Sequence, residues 1–249
     1  PLNEDFSNRY PLEIDKIRPV SIISKATGSY FIDFGKAAFG TVVIKVNAAK
    51  AQSLVIRLGE VLVAGKKEIN KAPGKARRFI SLTQEIKSGE HIYTLKLPND
   101  PYNTRDAAVH IEPGVHQVIP FRYCEIENFP GELTEDTIYQ SAVHYHFDET
   151  AASFTSSSEV LNHVWELCRY SMKATSFLGA YVDGDRERTA YEADAYINQL
   201  GHYSVDREYS LDRYSFQFLL QHPTWPLEWQ QHMVFIAWND YLYTGDASL

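Results

Sequence analysis

The sequence predicts two domains, an antiparallel β-sandwich over residues 1–148 followed by an all-α domain over residues 149–249. The first observation is a series of short segments rich in β-branched and aromatic residues, separated by glycine and proline, that continues to about residue 146. The second is a change near Asp148 to apolar residues spaced three and four positions apart, as on one face of a helix. The third is charge: residues 1–148 carry 18 basic and 18 acidic residues, whereas residues 149–249 carry 6 and 14.

In the first domain the predicted strands follow one another at short intervals, as in a β-sandwich. The first strand ends at Gly35, and the second consists mostly of β-branched residues. A basic stretch at residues 66–75 is predicted to be the solvated tip of a hairpin. The predicted strands are residues 30–35, 41–46, 53–59, 77–83, 91–97, 115–120 and 122–127.

The second domain is predicted to be helical throughout. Three serines at 156–158 followed by Glu159 form an N-cap sequence. The apolar residues that follow have helical spacing: Val160, Leu161, Val164, Trp165, Leu167 and Cys168. Further helices are predicted at about 190–204, 207–221 and 229–243, and Pro223 ends the third helix of the domain. One helix has ended and another begins within the last residues, so we expect the chain to be a fragment of a longer helical array.

The composition limits the classes of ligand and partner. The whole net charge of −8 lies in residues 149–249, which argues against a polyanionic partner such as nucleic acid and suits a neutral ligand bound by carboxylates. No apolar run approaches the roughly 18 residues that a membrane span requires. Cys124 and Cys168 do not make a disulfide framework, and because each lies within an apolar pattern, both are predicted to be buried free thiols.

Residues 183–194 are the strongest candidate for a functional site, with five carboxylates and two arginines in twelve positions. Carboxylates this close repel one another, which raises some of their pKa values and permits acid and base roles side by side. If the following helix starts near Thr189 and its first turn reaches back to Glu187, then Glu187, Tyr191 and Asp194 share one face and form a seat for a sugar ring. The alternative is an exposed first helical turn, where acidic residues are favoured by the helix dipole.

For the other candidate site residues, a structural role is commoner than a functional one. Trp225, Trp229 and Trp238 are candidates to line a sugar pocket, with Glu228 between the first two, but helical aromatics more often form core. His202 and His222 are better explained by helix packing or capping than by catalysis. His144 and His146 alternate along the chain, but a metal site there lacks a third ligand in the sequence.

Several segments resemble the inverting α-L-rhamnosidases of glycoside hydrolase family 78. Residues 30–36 (YFIDFGK) are similar to the opening strand of that family's β-sandwich, and residues 121–126 (FRYCEI) to a second strand. Residues 161–165 (LNHVW) resemble the first helix of its catalytic (α/α)6 barrel, and residues 241–246 (YLYTGD) a later helix end. The resemblance therefore implies a β-sandwich followed by the first part of an (α/α)6 barrel.

The resemblance also implies site residues. Glu187 falls on the family's proposed general acid and Asp194 on a sugar-binding carboxylate, while Tyr191 takes the place of a substrate-stacking tryptophan. Asp183 matches the motif's first aspartate with one residue deleted, and Arg186 is expected to hold the carboxylates in place; Trp225 and Trp229 complete the predicted substrate site. The chain departs from the family pattern at Gly184, Asp185, Ala190 and Tyr191, which bears on the choice of sugar. The family's general base is expected beyond Leu249, so we expect the 249 residues alone to give no turnover.

Two functional hypotheses follow. The first is a glycosidase that removes terminal α-L-rhamnose, or a similar deoxy sugar, from glycans or glycosides with inversion, the two carboxyl groups lying about 6.5–9.5 Å apart. The second is a non-catalytic carbohydrate-binding or structural relative with the same fold. Either implies a carbohydrate ligand and no cofactor, metal, nucleic acid or membrane partner. The substrate class favours a secreted or periplasmic protein, with a cytoplasmic one as the alternative.

Overall fold

The computed structural model describes residues 9–249, which form two compact units. One unit comprises Ile14–Pro98 and His116–Val143 and contains the strands. The other comprises residues 9–13, Asn99–Val115 and His144–Leu249, and it contains the helices. The segment Asn99–Val115, which lies between strands in the sequence, therefore belongs to the helical unit.

The strand unit is an antiparallel β-sandwich, as predicted. Its strand order is β1-β8-β3-β7-β4-β5, and β2 and β6 also pair with β3. The strands are β1 (Glu13–Ile17), β2 (Ser21–Ala26), β3 (Ser29–Ala48), β4 (Gln52–Gly59), β5 (Phe79–Ile86), β6 (Gly89–Thr94), β7 (Ile119–Glu127) and β8 (Ile138–His144).

The long strand β3 organises the sandwich by changing partners along its length. Its first half, around Tyr30–Asp33, pairs with β2 and β7, whereas its second half, around Gly40–Ala48, pairs with β8 and β6. The register on β7 shifts between Asp33 and Ala38, a bulge of the kind that lets one strand bend and serve two layers. Fully buried side chains from both halves, such as Ile32 and Ile44, contribute to one apolar core.

Most predicted strands are present, and one pair of them is merged. The strands predicted at 30–35 and 41–46 are the two halves of β3, because the bulge bends the strand without ending it. The strand predicted at 122–127 lies in β7, which begins at Ile119, so only the last two residues of the strand predicted at 115–120 belong to it and the rest of that prediction is wrong. Pro120 is tolerated within β7 because β4 pairs only with the part of β7 from Tyr123 onward. The strands β1, β2 and β8 were not identified individually in the sequence pattern.

The helical unit follows the predicted order. It consists of α1 (Glu159–Thr175), α2 (Glu192–Tyr203), α3 (Ser210–Gln221), a 3₁₀ helix (Leu227–Gln231) and α4 (His232–Thr244). Ser158 caps α1 by accepting the N–H of Leu161, and His222 is the C-cap of α3 immediately before Pro223. Gly245 ends α4 in the left-handed conformation, with φ of 72°, which glycine adopts without steric cost.

The prediction that Cys168 is buried is wrong, although Cys124 is buried as predicted; both are free thiols. Cys168 lies in α1, none of whose residues is buried, and Val160, Leu161, Val164 and Leu167 of the predicted apolar stripe are exposed as well. Helical spacing identifies which side chains share a face, but it does not determine whether another element covers that face. Among the helices that the structure describes, none is both long enough and apolar enough to cross a membrane.

Candidate functional site

The carboxylate-rich sequence forms a tight turn and only then a helix. The Asp183 N–H donates to the Thr189 carbonyl at 2.9 Å, and the Thr189 N–H donates to Asp183 Oδ1 at 3.1 Å. The Arg188 N–H donates to the Gly184 carbonyl at 3.0 Å. Two residues of the turn have positive φ, 121° at Gly184 and 53° at Arg188, so the chain reverses sharply.

The prediction that a helical face carries Glu187, Tyr191 and Asp194 is wrong in its secondary structure. Helix α2 begins at Glu192, so Glu187 lies five residues before it and Tyr191 is the N-cap. Proximity comes instead from the 183–189 turn. The Tyr191 hydroxyl donates to Glu187 Oε2 at 2.8 Å, which joins the turn to the start of α2.

A buried ion pair inside the turn fixes its shape. Arg188 Nη2 lies 2.7 Å from Asp185 Oδ1, and both side chains are at most 5% exposed. Two residues of the Asn99–Val115 segment bond to the same turn: the Asn103 amide donates to the Asp185 carbonyl at 2.7 Å, and the Val109 N–H donates to the Arg188 carbonyl at 2.7 Å. Asp185 and Arg188, which the motif brings close to Glu187 in sequence, therefore have a structural role.

Glu187 accepts hydrogen bonds from several donors at once. In addition to Tyr191, Arg186 Nη2 donates to Oε1 at 2.7 Å, and the Tyr102 hydroxyl donates to Oε1 at 3.2 Å. Arg105 Nη2 lies 3.6 Å from Oε2. These groups lower the pKa of the Glu187 carboxyl, with the Tyr191 hydrogen bond as the largest cause. The substrate-free site therefore holds Glu187 ionised at neutral pH.

Two of the other four carboxyls of the motif, Asp183 and Asp194, have raised pKa values. Partial desolvation, with repulsion from Glu187 and Asp194, raises the pKa of Asp183 to about 6 although the residue keeps an exposed surface. Desolvation also raises the pKa of Asp194. Asp183, Glu187 and Asp194 are therefore close enough to interact electrostatically, and they differ in the ease with which each takes a proton.

Aromatic rings border this group of carboxyls. The rings of Tyr191 and Trp229 meet edge to face, with their centroids 5.8 Å apart. Glu192, which is fully buried at the start of α2, accepts both the N–H and the hydroxyl of Thr224, and these bonds tie the chain before the 3₁₀ helix to α2. Trp225, the residue that follows, is 84% exposed. The structure thus brings Trp229 to Tyr191 and leaves Trp225 open to solvent.

The remaining candidates from the sequence lie elsewhere. Trp238 is exposed on α4, where its ring lies tilted against that of Tyr241 with the centroids 5.7 Å apart, so the expectation of core packing is not met. Glu228 is exposed in the 3₁₀ helix. His202 is buried between the Tyr181 hydroxyl, 2.6 Å from Nδ1, and Asp206, 3.3 Å from Nε2.

Two of the other candidate histidines, His222 and His144, have local backbone partners. His222 contacts the Phe218 carbonyl at 3.0 Å, as a capping residue does, and His144 Nδ1 lies 2.6 Å from the Tyr145 carbonyl. His146 lies 2.6 Å from Glu13. Within residues 9–249, no three His, Cys, Asp or Glu side chains are grouped as a metal site requires.

Three residues at the site, Tyr102, Asn103 and Arg105, are not indicated by any motif in the sequence. They lie in a stretch rich in proline, asparagine and aspartate, which marks a loop but gives no indication of what the loop contacts. Tyr102 and Glu187 are 85 positions apart, so no spacing rule joins them.

Comparisons with known proteins define the class to which this architecture belongs. The profile of the bacterial α-L-rhamnosidase concanavalin-like domain matches residues 23–144, and that of the bacterial α-L-rhamnosidase six-hairpin glycosidase domain matches residues 149–249. The chain thus has a concanavalin-like domain followed by a six-hairpin glycosidase domain. It belongs to the bacterial α-L-rhamnosidase family, which confirms the resemblance identified in the sequence.

Solved structures share the fold at low identity. The α-L-rhamnosidase from Dictyoglumus thermophilum matches with a TM-score of 0.74 and 21% identity, over 95% of this chain and 26% of that chain. The GH78 family rhamnosidase of Bacillus sp. GL1 matches with a TM-score of 0.65 and 15% identity, over 90% and 23%. The rhamnosidase from Klebsiella oxytoca, solved with rhamnose bound, matches with a TM-score of 0.62 and 14% identity, over 96% and 54%. The chain therefore spans from about a quarter to about half the length of these relatives, and comparison with curated proteins finds no match.

Proposed function

We propose that the protein is a glycoside hydrolase that removes terminal α-L-rhamnose, or a similar deoxy sugar, from glycans or glycosides with inversion at the anomeric carbon. The observation that carries the proposal is the group of three carboxyls with Tyr191 and Trp229 at the start of α2, in a chain of the rhamnosidase family. The related rhamnosidase from Klebsiella oxytoca was solved with rhamnose bound, which supports the choice of sugar.

In the proposed reaction Glu187 protonates the glycosidic oxygen as the bond from that oxygen to the anomeric carbon breaks. A water molecule attacks the anomeric carbon from the opposite face, and a second carboxylate takes its proton. No residue of this chain is assigned to that base. The reaction ends with free sugar of inverted configuration, a released alcohol, Glu187 ionised and the base protonated.

The other site residues would bind the sugar. Asp183 and Asp194 would accept hydrogen bonds from its hydroxyls, and Tyr191 with Trp229 would present apolar ring surface to its less polar face. Arg186 would hold the Glu187 carboxylate in orientation. Trp225 is assigned to an outer part of the site, where its exposed ring is free to meet the remainder of a glycan.

The hydrogen-bond donors and arginines around Glu187 lower its pKa and stabilise its ionised form. They therefore disfavour the protonated form that a general acid needs. Asp183 takes a proton more readily, because its pKa is raised to about 6. Two variants of the full-length protein, Glu187→Gln and Asp183→Asn, separate these assignments when each is assayed on glycosides with good and poor leaving groups. A variant without its general acid loses about 10²–10⁴-fold on poor leaving groups and much less on activated aryl glycosides, which need little protonation.

We expect this unequal loss for Glu187→Gln and an equal loss on both substrates for Asp183→Asn. The reverse pattern would move the acid role to Asp183, and wild-type activity of Glu187→Gln would end the assignment.

The configuration of the first product, followed by proton NMR during hydrolysis, tests inversion directly. Failure of the protein to cleave any of a panel of p-nitrophenyl glycosides would refute the glycosidase proposal.

A second candidate function is carbohydrate binding without catalysis. The feature that favours it is the ionised Glu187, since a carboxylate that accepts several donors is suited to sugar hydroxyls as well. Titration calorimetry with L-rhamnose distinguishes the two: binding without hydrolysis of rhamnosides supports the second candidate, and turnover rejects it.

A further inference from the structure

The segment Asn99–Val115 is held directly on the turn that carries Glu187. Asn103 and Val109 are both buried, and each donates a hydrogen bond of 2.7 Å to a backbone carbonyl of the turn, at Asp185 and Arg188 respectively. Buried hydrogen bonds to backbone are costly to leave unmade, so the segment has a definite position on the turn.

Two side chains of this segment reach Glu187 itself. The Tyr102 hydroxyl donates to Oε1 at 3.2 Å, and Arg105 Nη2 lies 3.6 Å from Oε2 while also donating to Thr189 Oγ1 at 3.2 Å. The Arg105 guanidinium lies over the Tyr102 ring, 4.7 Å from its centroid, so the two side chains support each other. Tyr102 remains 48% exposed and therefore borders the space in front of Glu187.

We infer that residues 99–109 are part of the glycoside-binding site, and that Tyr102 and Arg105 are positioning residues for the Glu187 carboxylate. The inference rests on the proposed function, in which Glu187 touches the glycosidic oxygen. Tyr102 and Arg105 approach the carboxylate from a segment that precedes the glycosidase-domain match in sequence. Arg186 and Tyr191 approach it from the turn and from α2.

The geometry also indicates which donor the substrate displaces. The Tyr102 bond, at 3.2 Å, is longer than those from Tyr191 and Arg186, and its donor is exposed to solvent. A glycosidic oxygen that approaches Glu187 would replace the Tyr102 hydroxyl at Oε1. Removal of one donor makes the carboxyl easier to protonate, and this is the state that general acid catalysis requires.

The test is a direct titration of Glu187 in the full chain. Carboxyl-carbon NMR of protein labelled at glutamate, with the Glu187 signal identified by its loss in Glu187→Gln, gives the pKa of this one group. We expect Tyr102→Phe and Arg105→Gln each to shift that pKa upward, and Arg105→Lys, which keeps the charge, to shift it less. Tyr241→Phe is the matched control, because Tyr241 is a similarly exposed tyrosine on α4.

An unchanged Glu187 pKa in both Tyr102→Phe and Arg105→Gln would overturn the inference, as would an equal shift in Tyr241→Phe. A shift in only one of the two variants would overturn the role of the other residue. Because the titration does not depend on turnover, a protein that cleaves no glycoside and still shows the shifts would refute the proposed function and leave the positioning role intact.

Kinetics provides the complementary measurement if the protein is active. A general acid works only while protonated, and the pH profile of kcat/KM reports the free protein, in which Tyr102 contacts Glu187. A higher pKa of Glu187 in Tyr102→Phe therefore moves the high-pH limb of the kcat/KM profile toward higher pH. A purely structural role for Tyr102 would lower kcat/KM at every pH without moving the limb, and that result would contradict the inference.

Discussion

At the level of single residues, the carboxyl groups of the 183–189 turn lie in different electrostatic surroundings. Glu187 receives hydrogen bonds from Tyr191, Tyr102 and Arg186, which stabilise its charge. Asp183 accepts a backbone N–H from Thr189 but is partly desolvated and lies near two other carboxylates. In the proposed reaction, groups that differ in this way would divide proton transfer and sugar binding between them.

We predict that sugar binding depends on pH through Asp183. Its pKa is raised to about 6, so it ionises as pH rises through 6 and becomes a stronger acceptor for sugar hydroxyls. The Kd for L-rhamnose, measured by titration calorimetry from pH 4.5 to 7.5, should fall by up to about tenfold in wild type and stay nearly constant in Asp183→Asn. Asp246→Asn, at an exposed carboxylate outside the site whose pKa is lowered, serves as control and should keep the step, and a step that persists in Asp183→Asn would assign it to another group.

Two neighbouring arginines of the turn should differ strongly in their contribution to stability. Arg188 is 3% exposed and pairs with buried Asp185, whereas Arg186 is 66% exposed and pairs with Glu187. Arg188→Met leaves a buried carboxylate without its partner and should lower the free energy of unfolding by about 3–5 kcal/mol. Arg186→Met should change it by less than about 1 kcal/mol. Urea unfolding measures both, and similar losses would mean that burial of the turn does not determine its energetics.

At the scale of elements, a buried polar network joins helices α2, α3 and α4. The Tyr203 hydroxyl lies 3.0 Å from Asp212 Oδ2 and 2.8 Å from Asp240 Oδ1. A hydroxyl has one proton and can donate to only one of these carboxyls. Asp240 is paired with Arg213 at 2.7 Å, whereas Asp212 Oδ1 has no partner among the described residues. Asp212 is therefore the carboxyl that holds a proton, donating it to Tyr203, while Tyr203 donates to Asp240.

This network predicts that stability falls as pH rises. Burial raises the pKa of Asp212 to about 8, so between about pH 4 and 8 the folded state keeps a proton that the unfolded state has released. In that window the free energy of unfolding should decrease by up to about 1.4 kcal/mol per pH unit from this group. Asp212→Asn removes the titrating group while its amide can still donate to the Tyr203 hydroxyl; the bond from Gln199, which meets the same Oδ2 at 3.0 Å, is not kept. The substitution should abolish the slope.

Urea unfolding between pH 5 and 8, followed by tryptophan fluorescence, measures this dependence. Asp246→Asn is the control, because Asp246 is exposed and its pairing with Arg213 lowers its pKa out of this range. An unchanged pH slope in Asp212→Asn would show that the titrating group lies elsewhere.

At the scale of the whole molecule, each unit has its own buried apolar residues. Phe121 and Phe34 meet edge to face in the sandwich core, and Phe177 and Ile236 are fully buried in the helical unit. The four tryptophans of the chain all lie in the helical unit, at positions 165, 225, 229 and 238. Their fluorescence therefore monitors the helical unit, whereas the β-structure component of the far-ultraviolet circular dichroism spectrum comes from the sandwich.

Phe121→Ala should destabilise the sandwich by about 3–5 kcal/mol through lost burial and the resulting cavity. Urea unfolding followed by far-ultraviolet circular dichroism should show the lower free energy of unfolding of the sandwich. Unfolding followed by tryptophan fluorescence reports whether the helical unit is affected. Ile92→Ala, at a residue 69% exposed on β6, should cost less than about 0.5 kcal/mol. Equal losses at the two positions would contradict the assignment of Phe121 to the core.

The sequence pattern predicted the two domains and the type and order of most elements, because β-branched runs, helical spacing and caps act over a few neighbouring residues. It did not identify β1, β2 or β8 individually. It also located the carboxylate-rich motif from Asp183 to Asp194 and the family to which the motif belongs. It could not determine that β3 serves two layers or that Cys168 is exposed, since covering elements are distant in the chain.

Only the tertiary structure decided how the site is assembled and charged. A turn, and not a helical face, brings Glu187 to Tyr191, and Tyr102 and Arg105 reach the same carboxylate from more than 80 positions away. The proton affinity of each carboxyl depends on desolvation and on donors that arrive through space. These quantities are set by folding, so the residue types and their spacing indicate acid chemistry without assigning the proton to a particular carboxyl.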